Sequence, residues 1–172
     1  MNAANFTIRK PQSLLAMAAM VALLATASFA YGSANPFAAL SGAWAGPGTV
    51  TLAGGGKESI RCRANYNVDG ANLRLELRCS GDSYKFELQS NVTHSNGEVS
   101  GNWTEMTNRV GGTVAGKATP HRIEVRVDGA ISALLAVSTR ADQQLVSIKS
   151  PGGPMSAVTI SLNRRMKQAA AK

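Results

Sequence analysis

Cys62 and Cys79 are the only cysteines of this 172-residue chain, and they lie in register across a predicted β-hairpin. Apolar and polar residues alternate over residues 57–69 and again over residues 72–80, which is the period of β-strands. If Gly70-Ala71 forms a two-residue loop, the numbers of cross-strand partners sum to 141, and the two cysteines satisfy this sum. They would occupy a non-hydrogen-bonded pair, where Cα atoms lie ~4.5 Å apart, within disulfide range. We therefore predict a Cys62–Cys79 disulfide.

The first thirty residues have the three parts of a secretory signal peptide. Arg9 and Lys10 form a short basic region, residues 14–24 are apolar, and residues 28–30 form a small-x-small cleavage pattern. A membrane anchor is the alternative, but the apolar run is shorter than the roughly 20 residues that span a bilayer. We expect residues 1–30 to be cleaved and the mature chain to be periplasmic or secreted, with no transmembrane segment. Disulfides persist in such compartments.

After residue 30, short alternating runs recur about every ten residues, separated by Gly, Asn, Asp and Pro. This pattern predicts an all-β fold, an antiparallel up-and-down meander of about eight to ten strands that closes into a calycin-like barrel. Closure is favoured because an open sheet would expose two edge strands; a sandwich is the alternative. We predict an N-terminal extension over 31–40, one barrel domain over 41–165 and a basic disordered tail over 166–172. The predicted strands are 47–53, 57–69, 72–80, 83–93, 97–106, 109–118, 121–128, 131–140, 142–149 and 155–163.

The alternation also predicts which side chains face the barrel interior. Such an interior is either a packed core or an apolar ligand cavity, and small residues in the second half of the barrel favour a cavity. The predicted inward residues are Tyr66, Leu73, Leu75, Leu77, Tyr84, Phe86, Leu88, Val92, Val99, Trp103, Ile123, Val125 and Val127. Among them, the candidate ligand-binding residues are Tyr66, Leu75, Tyr84, Phe86, Trp103 and Val125.

The segment 131–137 poses a question of register, because Val-Asp-Gly-Ala occurs at both 68–71 and 127–130. If the second copy turns like the first, Val127 faces Ser132. The residues that then point outward as an apolar stripe are Ile131, Ala133, Leu135 and Val137. Such a stripe would serve as the interface of a homodimer or with a protein partner. Alternatively, the N-terminal segment 35–40 covers the stripe, or the turn is shifted towards residues 128–129.

A short motif at the two ends of the barrel resembles the lipocalins and the wider calycin group. In those proteins Gly-x-Trp opens the first strand, and a C-terminal Arg packs across that Trp. Here Gly42 and Trp44 match the opening, and Arg164 or Arg165 matches the closing cation. Avidin-like barrels and bacterial lipocalin-like metalloprotease inhibitors share the same opening, and the whole chain resembles small exported proteins of Gram-negative bacteria. The resemblance implies a calycin-like barrel that is closed by Trp44 and an arginine. We expect that arginine to be Arg164.

The sequence predicts neither a catalytic site nor a metal site. His94 lies in a turn and His121 at a strand start, and neither has a second ligand at metal-binding spacing. No serine lies in a nucleophile elbow. We therefore expect a protein that is not an enzyme and that needs no cofactor.

A cluster of arginines on the outward face of the hairpin predicts an anion-binding site. In the hairpin register Arg63 lies directly opposite Arg78, with Arg61 diagonal to Arg78, and the whole chain has a formal net charge of +8. Like charges opposite each other destabilise a sheet, so the cluster suggests an anionic partner such as lipid phosphate or lipopolysaccharide. Alternatively, Glu58 and Glu76 relieve a merely solvated face. Nucleic acid is not expected, because no aromatic residues interleave with the arginines.

Two functions fit these patterns. The first is an exported, non-catalytic barrel that binds a small apolar or amphipathic ligand in the cell envelope. The alternative is an envelope protein–protein interaction module, or a protease-inhibitor-like barrel with a solid core. A ligand-binding barrel requires an internal cavity of several hundred Å³, whereas the alternative requires an exposed patch and no cavity.

Overall fold

The computed structural model describes residues 35–83 and 85–166, which form a closed antiparallel β-barrel of ten strands. Each strand pairs with its neighbours in sequence, and the last strand pairs with the first. The strands are β1 (Gly42–Leu52), β2 (Lys57–Asp69), β3 (Asn72–Ser80), β4 (Lys85–Ser95), β5 (Glu98–Glu105), β6 (Val110–Thr119), β7 (Arg122–Gly129), β8 (Ala133–Arg140), β9 (Gln143–Lys149) and β10 (Met155–Arg164). The predicted all-β meander that closes into a barrel is confirmed.

Several predictions fall on residues outside the described ranges. These are the cleaved signal peptide over 1–30, the first part of the N-terminal extension over 31–34 and the tail beyond residue 166. Among the described residues, no helix has the length and hydropathy needed to cross a membrane.

The β2–β3 hairpin has the predicted register. Gly70 has φ +54°, as the tight turn requires, and Cys62 pairs with Cys79. The two cysteines form a disulfide, with their Cα atoms 4.1 Å apart. The predicted disulfide is confirmed.

Strand β1 begins at Gly42, five residues before the predicted start at 47. Trp44 is paired with Ala64 of β2 on one side and with Arg164 of β10 on the other. Gly42 and Trp44, which precede the predicted start of the strand, therefore belong to the part of β1 that closes the barrel.

The predicted outward stripe over 131–137 is wrong for three of its four residues. Val127 pairs with Ala133 instead of Ser132, because β7 extends through Gly129 and the turn occupies residues 130–132. A shift of one residue reverses the face of every side chain in a strand. Ala133 and Val137 are consequently buried and Leu135 is partly buried.

The outward apolar residues near this turn are Ile131, in the turn itself, and Leu134, which are 44% and 52% exposed. An interface over 131–137, with a second copy of the chain or with a protein partner, is still a prediction. Its exposed large apolar side chains would be those of Ile131 and Leu134.

Residues 35–40, which we call the plug, close one end of the barrel. Asn35 donates a side-chain hydrogen bond to the carbonyl of Gly70, and a 3₁₀ turn spans Ala38–Leu40. Phe37 and Leu40 are fully buried, and the ring of Phe37 makes an edge contact with His94. The plug lies at the end that carries the β2–β3 turn, so it covers the barrel end and not segment 131–137. The opposite end, formed by the loops β1–β2, β3–β4, β5–β6, β7–β8 and β9–β10, is called the loop end below.

Strands β6 and β7 approach each other closely at Gly112, which faces the barrel interior. A Cβ atom at Gly112 would lie 1.8 Å from the carbonyl oxygen of Asp128, so the position accepts no side chain. Trp103 is paired with Gly112, and its indole N–H donates to the same Asp128 carbonyl at 3.2 Å. The large ring thus occupies the space that the glycine leaves on the inner face.

Candidate functional site

The barrel interior contains a cavity of about 140 Å³, which is lined at the plug end by Phe37 and Leu40. Five of the six candidate ligand-binding residues lie on its wall, namely Tyr66, Leu75, Phe86, Trp103 and Val125. The sixth, Tyr84, lies outside the described residues. The other predicted inward residues also line the cavity: Leu73, Leu77, Leu88, Val92, Val99, Ile123 and Val127. Alternation thus predicted these wall residues, because the side chains of each strand point alternately in and out. It did not predict Leu135 and Val137, which also line the cavity although they were expected to point outward.

The volume is smaller than the several hundred Å³ that we expected of a ligand-binding barrel. It is close to the roughly 150 Å³ of an engineered apolar cavity that binds benzene or xenon. Large residues on the wall, such as Trp103 and Phe86, fill much of the remaining interior. An occupant that lies wholly inside is therefore a compact molecule.

The polar groups on the cavity wall are already hydrogen-bonded to the protein. The Tyr66 hydroxyl donates to Gln144 Oε1 at 2.8 Å, and the Gln144 amide donates to Thr139 Oγ1 at 3.3 Å. Ser90 donates to the carbonyl of Asn102 at 2.8 Å. Among the described residues, every buried side-chain nitrogen and oxygen atom has a partner. The wall therefore offers apolar contact and no unpaired polar group.

Burial raises the pKa of Tyr66 well above its ordinary value, although the hydrogen bond with Gln144 opposes the shift. The phenol consequently stays protonated at physiological pH and serves as a hydrogen-bond donor. The sequence analysis missed Gln144 and Thr139. In β9 a polar residue is buried and an apolar residue is exposed, which is the reverse of the usual arrangement: Gln144 is buried while Leu145 is 49% exposed.

A second feature, at the loop end, is the carboxylate of Glu105. It accepts backbone hydrogen bonds from Glu87, Thr107 and Asn108 at 3.3, 2.9 and 2.6 Å, and a side-chain bond from Asn108 at 3.0 Å. Burial alone would raise the pKa of Glu105, but these bonds outweigh it and lower the pKa to about 2. The carboxylate therefore fixes the β5–β6 loop and is not a free acid or base.

The predicted anion-binding arginines lie together on the outside of the barrel. Arg63 pairs with Arg78, and Arg61 lies one row away, opposite Ser80. They border a surface groove of about 600 Å³, whose further cations are Lys85 and Arg165. We call this feature the basic groove. Whether it binds an anion is still a prediction.

The closing cation is Arg164. Its guanidinium carbon lies 4.3 Å from the centre of the Trp44 ring, and its Nε donates to Asp142 at 2.8 Å. The same guanidinium also donates to the carbonyls of Ala39 and Ser41, so it joins the plug to β1 and β10. The Trp44 indole donates to the carbonyl of Leu40 at 2.7 Å.

The two histidines lie apart from the cavity wall. His94 accepts a hydrogen bond at Nε2 from the backbone N–H of Gly97, and the carbonyl of His121 accepts one from Thr139. Over residues 35–83 and 85–166, no group of three or more His, Cys, Asp or Glu is arranged to hold a metal ion.

These features define a calycin-like ten-stranded barrel with an apolar interior. No protein-family model and no curated protein matches the sequence. Several solved structures share the fold, including two of low sequence identity.

The first is Rv2717c from M. tuberculosis, with a TM-score of 0.60, 13% identity, and coverage of 76% of this chain and 95% of that one. The second is the S-type phycobiliprotein lyase CPES from Guillardia theta, with a TM-score of 0.51, 12% identity, and coverage of 77% of this chain and 92% of that one. Identities of this size show similarity of fold alone.

Proposed function

We propose that this chain is an exported, non-catalytic barrel that binds a compact apolar molecule in its interior. The observation that carries the proposal is the 140 Å³ cavity, whose wall is apolar and whose polar groups are already paired. A charged or strongly polar group placed there would lose its hydration without gaining a partner. The cavity thus selects for an uncharged occupant or for the apolar end of an amphipathic one.

The cavity favours this proposal over the alternative of an interaction module or inhibitor-like barrel with a solid core. Interiors are usually packed with few voids larger than a water molecule, so a solid barrel of this size would not retain such a space. The plug adds support, because Phe37 and Leu40 bound the cavity where water would otherwise enter.

The proposal of a non-catalytic role rests on the chemistry of the cavity wall. Tyr66 is the only titratable residue among the described residues that line it, and its hydroxyl is held by Gln144. The lyase activity in the name of the Guillardia protein belongs to that protein, and the shared fold carries no reaction to this chain. A catalytic role would require a titratable group placed against the ligand.

Export is supported by two independent features. The disulfide between Cys62 and Cys79 is of a kind that persists in oxidising compartments, and the first thirty residues have the pattern of a signal peptide. We propose a periplasmic or secreted location, in which the ligand is a component of the cell envelope or of its surroundings.

The first experiment is native mass spectrometry of the mature protein purified from its own host, combined with lipid and small-molecule extraction of the same sample. We expect a bound compact apolar molecule at one copy per chain. A clean apo mass, together with no binding of benzene-sized apolar probes at millimolar concentration, would contradict the proposal.

A matched pair of variants assigns the binding to the cavity. Leu135 lies on the cavity wall, and its neighbour Leu134 points outward and is 52% exposed. We expect Leu135→Phe, which fills part of the cavity, to weaken binding at least tenfold, and Leu134→Phe to leave it unchanged. Equal effects of the two variants would place the ligand elsewhere.

A further inference from the structure

The basic groove differs from the rest of the outer surface in how its charges are paired. Elsewhere on the barrel, Lys117 is paired with Glu98 on one side and Glu124 on the other, and Arg122 forms an ion pair with Glu124. Other cations, such as Arg126, face uncharged residues. In the groove Arg63 is paired directly with Arg78. Directly opposed like charges cost stability, so this arrangement is unfavourable for the barrel by itself.

Two neighbouring cross-strand rows form the groove. One row runs Ala45–Arg63–Arg78–Glu87 and the other runs Pro47–Arg61–Ser80–Lys85. The floor includes the small residues Ala45, Gly46 and Ser80, above which the long cationic side chains extend. Arg165, anchored by its backbone N–H to the carbonyl of Ala43, adds a fifth cation at the edge.

Little within the protein neutralises these cations. Among the described residues that line the groove, the one acid is Glu87, which lies 3.5 Å from Arg78. Both side chains are substantially exposed, so the pair is weak. Arg61, Arg63 and Lys85 form no side-chain hydrogen bond or ion pair with another described residue. Their guanidinium and ammonium donors are available to an outside acceptor.

We propose that the basic groove docks the barrel on an anionic phospholipid bilayer, with the lipid phosphate groups as the acceptors. Arginine binds phosphate through two parallel N–H donors, which suits Arg61, Arg63 and Arg78. The four strands that carry the groove extend over about 14 Å, so the cations are spaced for several phosphates and not for one small ion. The groove is open along the barrel wall, which lets a surface approach it. The groove shares only Phe86 with the lining of the interior cavity, and none of its cations lines the cavity, so the two proposals stand or fall independently.

The test is co-sedimentation with vesicles of mixed phosphatidylglycerol and phosphatidylcholine, compared with phosphatidylcholine alone. We expect retention on the anionic vesicles only, and a decrease as salt is added. Each cation near an anionic surface is worth about fivefold in affinity, so Arg61→Gln, Arg63→Gln and Arg78→Gln together should weaken retention on the order of 100-fold.

The matched control lies on the opposite wall, because β7 is five strands away from β2 around the ten-stranded barrel. Arg122→Gln, Arg126→Gln and Lys149→Gln together remove the same charge from another surface groove. All variants keep the same chain length, so any contribution of the apolar run 14–24 is common to them. We expect the control to retain most of its binding.

The single variant Arg63→Gln separates binding from folding. It removes the Arg63–Arg78 repulsion, so the urea midpoint of unfolding should stay the same or rise while retention on vesicles falls about fivefold. Equal losses in the two triple variants, or no preference of the unmodified chain for anionic vesicles, would overturn the proposal. Binding of inorganic phosphate without retention on vesicles would overturn it in favour of a soluble anion.

Discussion

At the scale of single residues, Glu105 acts as a fixed acceptor for the β5–β6 loop. Its carboxylate satisfies the backbone N–H groups of Glu87, Thr107 and Asn108. Glu105 occupies an inward-facing position of β5, where an apolar residue is expected. The alternation of β5 does not indicate which groups its carboxylate would bind. The loop conformation that brings the N–H groups to the carboxylate exists only in the folded chain, so the sequence could not reveal it.

This residue makes the stability of the barrel depend on pH. Because the pKa of Glu105 falls from an ordinary 4.5 to about 2 on folding, its stabilisation is present above about pH 5 and is lost as the pH falls towards 2. We expect Glu105→Gln to cost about 1–2 kcal/mol at pH 7, after allowance for solvent screening. The difference from the unmodified chain should shrink progressively below pH 4.5. Urea unfolding at pH 7 and pH 3 measures both values.

The control for this prediction is Glu76→Gln, since Glu76 is an exposed residue of β3 whose cross-strand partners, Asn65 and Gln89, are uncharged. We expect its unfolding curve to follow that of the unmodified chain at both pH values. A pH-independent loss of stability in Glu105→Gln would contradict the assigned role of the carboxylate.

At the scale of elements, the β2–β3 hairpin is cross-linked by a disulfide that joins the middle of β2 to the end of β3 away from the turn. The bond closes a loop of 17 residues in the unfolded chain and limits its conformational freedom. Chain-entropy arguments give about 3 kcal/mol for a loop of this length. We expect Cys62→Ala with Cys79→Ala to lose about 2–4 kcal/mol of unfolding free energy in urea titrations.

The single variants provide the thiol control for the hairpin. Cys62→Ala and Cys79→Ala should each expose one reactive thiol per denatured chain, whereas the denatured unmodified chain should show none. A free thiol in the oxidised unmodified chain would contradict the cross-link.

The two hairpins that share the sequence Val-Asp-Gly-Ala show why the register was predictable in one place and not in another. At 68–71 the strands end at Asp69 and resume at Asn72, so the two-residue loop fixes the register. At 127–130 the same letters continue the strand, because Gly129 with φ +135° still pairs with Gly112 of β6. The difference comes from the neighbouring strand, which a local pattern does not contain.

At the scale of the whole molecule, the plug and the β1–β10 seam are held by one side chain, Arg164. Its guanidinium stacks on Trp44, bonds Asp142 and caps two carbonyls of the plug region. Lysine keeps the charge but lacks the planar fork of donors and the stacking surface. We expect Arg164→Lys to cost about 1–3 kcal/mol and to accelerate hydrogen exchange of the amides of Ala38 and Leu40.

The neighbouring Arg165 provides the control, because it contributes its backbone N–H to the barrel while its side chain is exposed. Arg165→Lys should leave the unfolding midpoint and the exchange of the plug amides unchanged. If Arg164→Lys lowered stability with no change in plug exchange, the guanidinium would act on the seam alone.

The strand count, the closure and the inward face of most strands were predictable, because ten alternating segments with short turns leave few other arrangements. The inward face of β8 was not, since its register depends on how far β7 extends. The plug was less visible, since residues 35–40 have no strand period and their burial depends on the shape of the finished barrel end. The cavity volume was not predictable either. It is a small difference between the space that the strands enclose and the volume of the side chains inside, and alternation specifies neither.

The seam between β10 and β1 also bears on the connectivity of the chain. Trp44 near the start of β1 lies beside Arg164 at the end of β10. A short linker can therefore join the start of the first strand to the end of the last. Every other contact between neighbouring strands is made by a hairpin, so the order of the strands around the ring does not depend on which hairpin is cut. The fold is therefore open to circular permutation, and new termini in the loop at residues 54–55, where the glycines face open space, would place the break in the barrel at the loop end.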